Sequence, residues 1–197
     1  MKKLAITGSI GMGKSTVAAM FEKRGIPVFD ADAVVRRLQG PGGALVREVE
    51  RLFPGTTGPE GVDRGALGRM VLGDGEKLAR LEALVHPAVH HERTRFILEH
   101  QDSPALLFDI PLLFETHGEG QFDSVIVVSA PAAVQEERVL ARPGMTAEKF
   151  AAIRARQLPD AEKRRRADHV VDTGVSLQET ERQVDAILAC MGLAAGA

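Results

Sequence analysis

Short apolar runs alternate along the chain with longer stretches in which apolar positions recur every three or four residues. The runs are rich in branched side chains and are typical of buried strands, whereas the longer stretches are typical of amphipathic helices. Five such runs, "KLAIT", "IPVFD", "ALLFDI", "DSVIVVSA" and the weaker "HVVDT", predict strands that end at Thr7, Asp30, Asp109, Ser129 and Thr173. Because strands that alternate with helices form parallel sheets, the pattern predicts a three-layer α/β fold with a five-stranded parallel sheet.

The helical stretches supply much of the predicted core. The first, "KSTVAAMFEKRG", predicts a helix that ends at Gly25 and has one apolar face, formed by Val17, Met20 and Phe21. A second helix is predicted to begin near Asp32, and a last one to run from 176 to about 191. The last helix is expected to bury four apolar residues and to hold Cys190 as an ordinary core residue; the four are Leu177, Val184, Ile187 and Leu188.

Two segments are longer than simple connections between strands. Residues 43–101 have a helical pattern broken by turn-rich stretches, and they are expected to form a lobe on the substrate side. Residues 131–167 contain three helical stretches rich in Lys and Arg, and they are expected to form a lid. A length of 197 residues suits one domain, so the prediction is a single domain over 1–197 that includes both parts.

Composition excludes several classes of function. The net charge is −2, so there is no global field that would attract nucleic acid or an anionic membrane. The chain contains no Trp or Tyr, which removes the aromatic platforms on which single-stranded nucleic acid stacks. A single cysteine excludes internal disulfides, and the sequence shows neither a signal peptide nor a long apolar span. We therefore expect a cytoplasmic protein with small-molecule partners; no signal indicates an oligomeric state.

The stretch "ITGSIGMGKST" at 6–16 lies between the first predicted strand and the first predicted helix. Its Gly8, Gly13, Lys14 and Ser15 fit G-x-x-x-x-G-K-[ST], the pattern of a phosphate-binding loop. Glycines let the backbone N–H groups turn toward an anion at the helix N-terminus. Lys14 is predicted to reach nucleotide phosphates, and the Ser15 hydroxyl to bind the accompanying Mg²⁺. The alternative is a glycine-rich turn without a ligand, which the flanking strand and helix disfavour.

Four carboxylates follow predicted strands, where open α/β sheets bind their ligands; they are Asp30, Asp32, Asp109 and Asp172. Phosphoryl transfer to a hydroxyl needs a carboxylate that orients the hydroxyl and accepts its proton, and Asp32 is the candidate base. Asp109 closes "ALLFD", which has the form of a strand whose carboxylate holds Mg²⁺. The alternative for Asp32 is a helix N-cap, and the alternative for Asp109 is a strand-end acid that caps the next turn.

The basic residues of 138–166 have three interpretations. Most are expected to be a solvated helix surface, and "KRRRAD" taken alone suggests nucleic acid. Arg138 and Arg142 on a lid would instead stabilise charge on a transferring phosphoryl group, while the closed lid excludes water. In "HPAVHHE", Pro87 is expected at a helix start, and His86 is expected to cap that helix or contact substrate. The His86 and His90 spacing is a weak alternative indication of zinc.

Several of these stretches, taken together, resemble the dephospho-coenzyme A kinase family over nearly the whole chain. The similar stretches are "TGSIGMGKST", "DADAVVR", "HP" at 86–87, "DIPLLFE" at 109–115, Gln157 with Pro159, and "KRRRADHVVD". The resemblance implies a fold like that of P-loop nucleotide triphosphatases, with ATP and Mg²⁺ and with dephospho-coenzyme A as acceptor. It implies that the segment 43–101 lies on the acceptor side.

The resemblance also implies roles for individual residues. ATP phosphates would bind Gly11, Met12, Gly13, Lys14, Ser15 and Thr16, with Arg142 approaching them from the lid. Asp32 would activate the ribose 3′-hydroxyl, and Arg36, His86 and Leu112 would line the acceptor site. The chain departs from the family pattern at Ser9, where Gly is frequent, and at Thr173, where Asn is frequent; Thr173 alters the expected adenine contacts because it offers only a hydroxyl.

Three other functions remain as alternatives at the level of sequence. Nucleoside or shikimate-type kinases share the glycine loop, but "DAD" and "PLLFE" are far more selective. A guanine-nucleotide switch would carry N-K-x-D, which does not occur in the chain. A nucleic-acid-dependent ATPase would need a broad basic face, which a net charge of −2 disfavours.

Overall fold

A computed structural model describes residues 1–193 and has a five-stranded sheet in the order β2, β5, β1, β6, β7. These strands are β1 (Lys2–Thr7), β2 (Val28–Asp30), β5 (Ala105–Asp109), β6 (Ser124–Ser129) and β7 (His169–Asp172). The registers of β1 with β5, of β1 with β6 and of β6 with β7 are all parallel. The predicted five-stranded parallel α/β fold is confirmed, and β1 lies at its centre.

Alternating side chains of the central strands build a core on each face of the sheet. Leu4 and Ile6 of β1 point into one cluster, whereas Ala5 belongs to the opposite cluster, as the period of two in a strand requires. The first cluster is covered by α1 (Lys14–Lys23) and α9 (Leu177–Cys190). The second contains Phe114 and Leu113 from the chain after β5. The loop after β1 therefore leaves the sheet from a strand that is rigidly held on both sides.

The chain divides into two compact units. Unit 1 comprises residues 1–29 and the chain from 100 onward, and it contains the large sheet apart from Asp30. Its further helices are α6 (Ala132–Leu140), α7 (Ala147–Arg154) and α8 (Asp160–Arg166), with a short 3₁₀ turn at Glu119–Gln121. The three helices match the three helical stretches expected in 131–167, whose action as a lid stays a prediction.

Unit 2 is the continuous segment Asp30–Glu99. It contains α2 (Ala31–Gln39), α3 (Val46–Leu52), α4 (Arg64–Val71) and α5 (Gly75–Glu99), and a small antiparallel pair formed by β3 (Thr57–Gly58) and β4 (Gly61–Val62). Its own core is centred on Val49 and Phe53, which are 0% and 1% exposed. The unit begins thirteen residues before the lobe expected at 43–101, because α2 packs into this second core through Leu38.

Three local expectations are wrong. Pro87 lies inside α5 instead of starting a helix, and the apolar residues that flank it on both sides, Leu84, Val85, Ala88 and Val89, pack against the core of unit 2. That packing offsets the hydrogen bond that a proline removes from a helix.

The other two corrections concern α9. Its buried face is formed by Val184, Ile187 and Leu188, as expected, but Cys190 is exposed. Cys190 follows Leu188 by two positions, which is about 200° around a helix, so it points away from the core. Leu177 is 62% exposed because it begins the helix beside a cavity described below. No helix in residues 1–193 combines the length and apolarity needed to cross a membrane.

Candidate nucleotide site

The glycine loop connects β1 to α1 at the centre of the sheet. Gly11 and Gly13 have φ values of +78° and +84°, a region that side chains disfavour. Gly8 is required for a different reason, because a Cβ there would lie 2.6 Å from the carbonyl oxygen of Val128 in β6. Gly13 is also the N-cap of α1, and no side chain caps the helix. The helix N-terminus is therefore open toward an anion, as the sequence pattern predicts.

A cavity of about 430 Å³, here called the loop cavity, lies against this turn. The loop contributes Gly11, Gly13, Ser15 and Thr16 to its lining, and α6 with the turn after it contributes Arg138 and Arg142. The rest of the lining comes from the chain around the start of α9, with Thr173, Val175, Leu177 and Thr180. The structure thus brings Arg142 to the same cavity as the loop residues from which it is separated by more than a hundred positions in sequence. The cavity combines backbone donors, cations and apolar walls.

Thr173 binds the loop through its hydroxyl. Its Oγ1 donates a hydrogen bond of 2.7 Å to the carbonyl oxygen of Met12 and accepts one of 3.0 Å from Nη1 of Arg138. Arg138 also donates to the carbonyl oxygen of Thr173, at 2.7 Å. The single hydroxyl proton is used in the bond to Met12, so Thr173 holds the loop in place. The hydroxyl therefore has no proton left to donate to an adenine ring. Met12 as a whole is 2% exposed, and its side chain belongs to the core cluster between the sheet and α1.

Lys14 and Asp109 form an ion pair between the first turn of α1 and the end of β5. The Lys14 side chain is 18% exposed and that of Asp109 is 7% exposed, so the pair lies largely out of solvent. A mobile ammonium beside a strand-end carboxylate can exchange that partner for phosphate oxygens. Residues 1–193 contain no group of three His, Cys, Asp or Glu side chains arranged to hold a metal ion.

In unit 2, the two carboxylates at the start of α2, Asp30 and Asp32, have different surroundings. Asp30 is the N-cap of α2, and its Oδ1 accepts a hydrogen bond of 2.8 Å from the backbone N–H of Ala33. Asp32 lies in the first turn of that helix with an exposed side chain, so the capping role considered for it belongs to Asp30. Arg36 pairs with Asp30 at 3.4 Å, and its side chain is 54% exposed. His86 is exposed on α5. Asp32 is thus an exposed carboxylate that does not serve as the N-cap of α2.

Two charged residues, Glu115 and Lys163, form a buried pair that was not foreseen. Lys163 Nζ lies 2.8 Å from Oε1 of Glu115, and the same oxygen accepts a hydrogen bond of 2.8 Å from the Leu158 N–H. The Lys163 side chain is 0% exposed, although it belongs to the "KRRR" run that was interpreted as a solvated surface. The signal that was available is the acid in "PLLFE", an unusual ending for an apolar stretch. The pair fixes the segment after Asp109 to the start of α8.

The carboxyl group of Glu115 has a lowered pKa. Burial raises this pKa, but the hydrogen bonds from Lys163 and Leu158 and the charge of Lys163 lower it by more. A carboxyl whose pKa is lower in the folded state contributes stability above its unfolded pKa, about 4.3, and loses that contribution as the pH falls through the folded value. The pair should therefore stabilise the fold fully at neutral pH and progressively less in acid below about pH 4.

We expect Glu115→Gln to lower the free energy of unfolding by about 3–5 kcal/mol at pH 7, because it leaves the Lys163 ammonium buried without a counter-charge. Urea unfolding monitored by circular dichroism measures the effect. The double variant Glu115→Leu with Lys163→Met removes both charges and should recover most of the loss. A single variant within about 1 kcal/mol of wild type would contradict the pair's importance, since an exposed pair has about that value.

Comparison with known proteins agrees with this geometry. The family model for dephospho-CoA kinase matches residues 3–179. A dephospho-CoA kinase of Novosphingobium aromaticivorans is 61% identical over 92% of this chain and 90% of its own length. One of Mesorhizobium japonicum is 54% identical over 94% of both chains.

Solved structures give the same result for the fold. A crystal structure of a Thermus thermophilus protein has a TM-score of 0.82 and 39% identity, covering 96% of this chain and 97% of its own. A dephospho-CoA kinase from Campylobacter jejuni has a TM-score of 0.65 at 22% identity, covering 99% and 98%, and supports the fold alone.

Proposed function

Because the chain belongs to the dephospho-CoA kinase family, we propose that it transfers the γ-phosphoryl group of ATP to the ribose 3′-hydroxyl of dephospho-CoA. The products are coenzyme A and ADP, and the reaction is the last step of coenzyme A biosynthesis. The observation that carries the proposal is the family match over residues 3–179, which includes the loop whose glycines open the N-terminus of α1. The loop cavity offers a place for the donor nucleotide.

The donor is proposed to lie along the loop cavity with its phosphates on the backbone from Gly11 to Thr16. Val175 and Leu177 are apolar side chains in the lining of this cavity, 43% and 62% exposed, where a nucleobase would cover them. Arg142 lines the same cavity and is proposed to stabilise negative charge on the phosphoryl group during transfer. Arg138 donates its hydrogen bonds to Thr173, which favours Arg142 over Arg138 as the arginine that contacts the phosphates.

Lys14 is proposed to leave Asp109 when a nucleotide binds and to pair with its phosphates. Asp109 carries carboxylate oxygens at the end of β5, and Ser15 lines the loop cavity in the first turn of α1. Both offer hard oxygen ligands, which Mg²⁺ prefers, and a nucleotide site supplies its remaining ligands from phosphates and water. The residues present therefore fit Mg²⁺, with Ser15 and Asp109 as its protein ligands. The ion would neutralise charge on the phosphates.

Asp32 is proposed as the general base. The ribose hydroxyl oxygen attacks the γ-phosphorus, the bond from that phosphorus to the bridging oxygen of ATP breaks, and Asp32 receives the hydroxyl proton. Arg36 and His86 of unit 2 are proposed to contact the acceptor, and so is Leu112 of unit 1, which is 42% exposed. All three residues are exposed to solvent.

We further propose that the chain acts in the cytoplasm on small molecules and without nucleic acid. The net charge of −2 and the absence of Trp and Tyr support this. The basic run at 163–166 is partly used inside the fold, since Lys163 pairs with Glu115 and Arg166 pairs with Glu119. Adding DNA or RNA is expected to leave the activity unchanged.

Mass spectrometry of the products tests the acceptor. Purified protein with Mg²⁺ and ATP is expected to add one phosphoryl group to dephospho-CoA, and to leave a nucleoside mixture and shikimate unmodified in separate reactions. A parallel reaction with EDTA in excess over Mg²⁺ should yield no phosphorylated product. Phosphate on another acceptor, or release of free phosphate alone, would overturn the acceptor assignment and keep the nucleotide site.

A further inference from the structure

Two glutamines bind the backbone of one loop residue, Ile10, one at its N–H and the other at its carbonyl oxygen. The Ile10 N–H donates a hydrogen bond of 3.1 Å to Oε1 of Gln157. The Ile10 carbonyl oxygen accepts one of 2.7 Å from Nε2 of Gln135. Each glutamine uses the only atom of its amide that suits the partner, because an N–H needs an acceptor and a carbonyl needs a donor. We call these two residues the glutamine clamp.

The two halves of the clamp differ in their surroundings. Gln135 lies in α6 and is 4% exposed, so its amide is fixed by packing. Gln157 lies between α7 and α8 and is only half-buried, and both glutamines line a second cavity of about 430 Å³ together with Ser9. Both come from the segment 131–167, which follows the sheet strand next to the loop. The clamp therefore connects two separate parts of that segment to the same loop residue.

Ile10 directly precedes Gly11, the first of the two loop glycines with positive φ. The orientation of its peptide groups sets the direction of the backbone that follows, which carries the donors expected to meet phosphate. Helix α6 also supports Gly11 by contact, since a Cβ there would lie 2.4 Å from Cγ2 of Val139 and 3.0 Å from the Gln135 carbonyl oxygen. The loop thus packs against α6, and the hydrogen bonds of the clamp fix the orientation of the peptide groups of Ile10.

We propose that Gln135 and Gln157 are positioning residues for nucleotide binding, which act by holding Ile10 so that the phosphate loop keeps its binding shape. The proposal rests on the proposed function only in that the loop binds a nucleotide. It does not depend on the identity of the acceptor. A glutamine that serves folding alone would affect stability and leave nucleotide affinity unchanged.

The test is direct binding of ADP with Mg²⁺, measured by isothermal titration calorimetry on the full chain. Gln135→Met and Gln157→Met keep the side-chain length and remove the hydrogen bond. Each is expected to raise the Kd for ADP by roughly 5- to 100-fold, the range for a polar group left without its partner. The KM for dephospho-CoA should stay within about twofold of wild type, because neither residue contacts the acceptor in this proposal.

A pair of charged variants separates the two halves of the clamp. Gln157→Glu keeps an oxygen toward the Ile10 N–H, whereas Gln135→Glu replaces the donor with an acceptor facing a carbonyl. In high salt, where the added charge is screened, Gln157→Glu should bind ADP more tightly than Gln157→Met, and Gln135→Glu should show no such recovery over Gln135→Met. Gln101→Glu, an exposed substitution in the turn before β5, adds the same charge and should leave ADP binding unchanged.

The outcomes are distinct. If both Met variants bind ADP within twofold of wild type, the proposal is overturned, even when their melting temperatures fall. If Gln135→Met does not fold, the half-buried Gln157 still decides the question through its own two variants. If wild type leaves dephospho-CoA unmodified but the Met variants weaken ADP binding, the acceptor assignment fails and the clamp stands.

Discussion

Asp32→Asn is expected to lower turnover by roughly 10²–10⁴-fold while ATP affinity stays close to wild type, because the amide cannot accept the proton of the ribose hydroxyl. Product formation measured by mass spectrometry gives turnover, and calorimetric titration gives affinity for ATP. The structure sharpens this test, since the N-cap of α2 is Asp30. Loss of the Asp32 charge from the first helical turn should therefore lower stability by only about 0.3–1 kcal/mol.

Asp63→Asn is a matched control for Asp32→Asn. Asp63 is the N-cap of α4 in the same unit, with its Oδ1 2.9 Å from the Ala66 N–H, and Asn caps helices as well as Asp does. The control removes the same charge and should keep full turnover. An Asp32→Asn enzyme with near-normal turnover would end the assignment of Asp32 as the base.

Lys14→Ala is expected to lower turnover by roughly 10²–10³-fold, the usual effect of removing one group that stabilises charge in the transition state. It should also weaken ATP binding, because the phosphates lose the ammonium that leaves Asp109 for them. The fold should persist, since the Lys14 side chain does not belong to the hydrophobic core. Steady-state kinetics with varied ATP, together with circular dichroism, measure both effects.

Two further variants define the role of Lys14. Lys23→Ala removes an exposed cation from the last turn of the same helix and should leave the kinetics unchanged. Lys14→Arg keeps the charge but replaces a compact ammonium with a planar fork, so it should recover little activity. Unchanged kinetics in Lys14→Ala would show that the loop does not act through this side chain.

The local sequence pattern was sufficient to predict the strands of the sheet and the glycine loop. Each strand is a short run of branched apolar residues, and both faces of β1 and β6 are buried, so the runs stand out without knowledge of their partners. The loop was equally visible, because its glycines meet backbone constraints that act within a few residues. Gly11 and Gly13 need positive φ whatever lies around them.

The misplaced residues depend on contacts that are distant in sequence. Lys163 looked like part of a surface run until Glu115 supplied a buried partner 48 positions away. The hydrogen bond from the Thr173 hydroxyl to Met12, 161 positions away, is likewise absent from any local pattern. Pro87 would end most helices, and only the packing of its apolar neighbours into the unit 2 core carries α5 past it. Sequence rules on charge, capping and helix breaking consider only neighbouring residues, so they cannot take such distant contacts into account.

The central position of β1 has a consequence for biosynthesis on the ribosome. β1 is translated before its partners β5 and β6, with Lys2 opposite Ala105 and Leu4 opposite Ser124. All of unit 2 is translated before β5, so unit 2 can fold while β1 is still unpaired. During that interval Leu4 and Ile6, both fully buried in the finished protein, have no sheet to cover them. The apolar side chains of β1 therefore stay uncovered in the nascent chain until β5 and β6 have been translated.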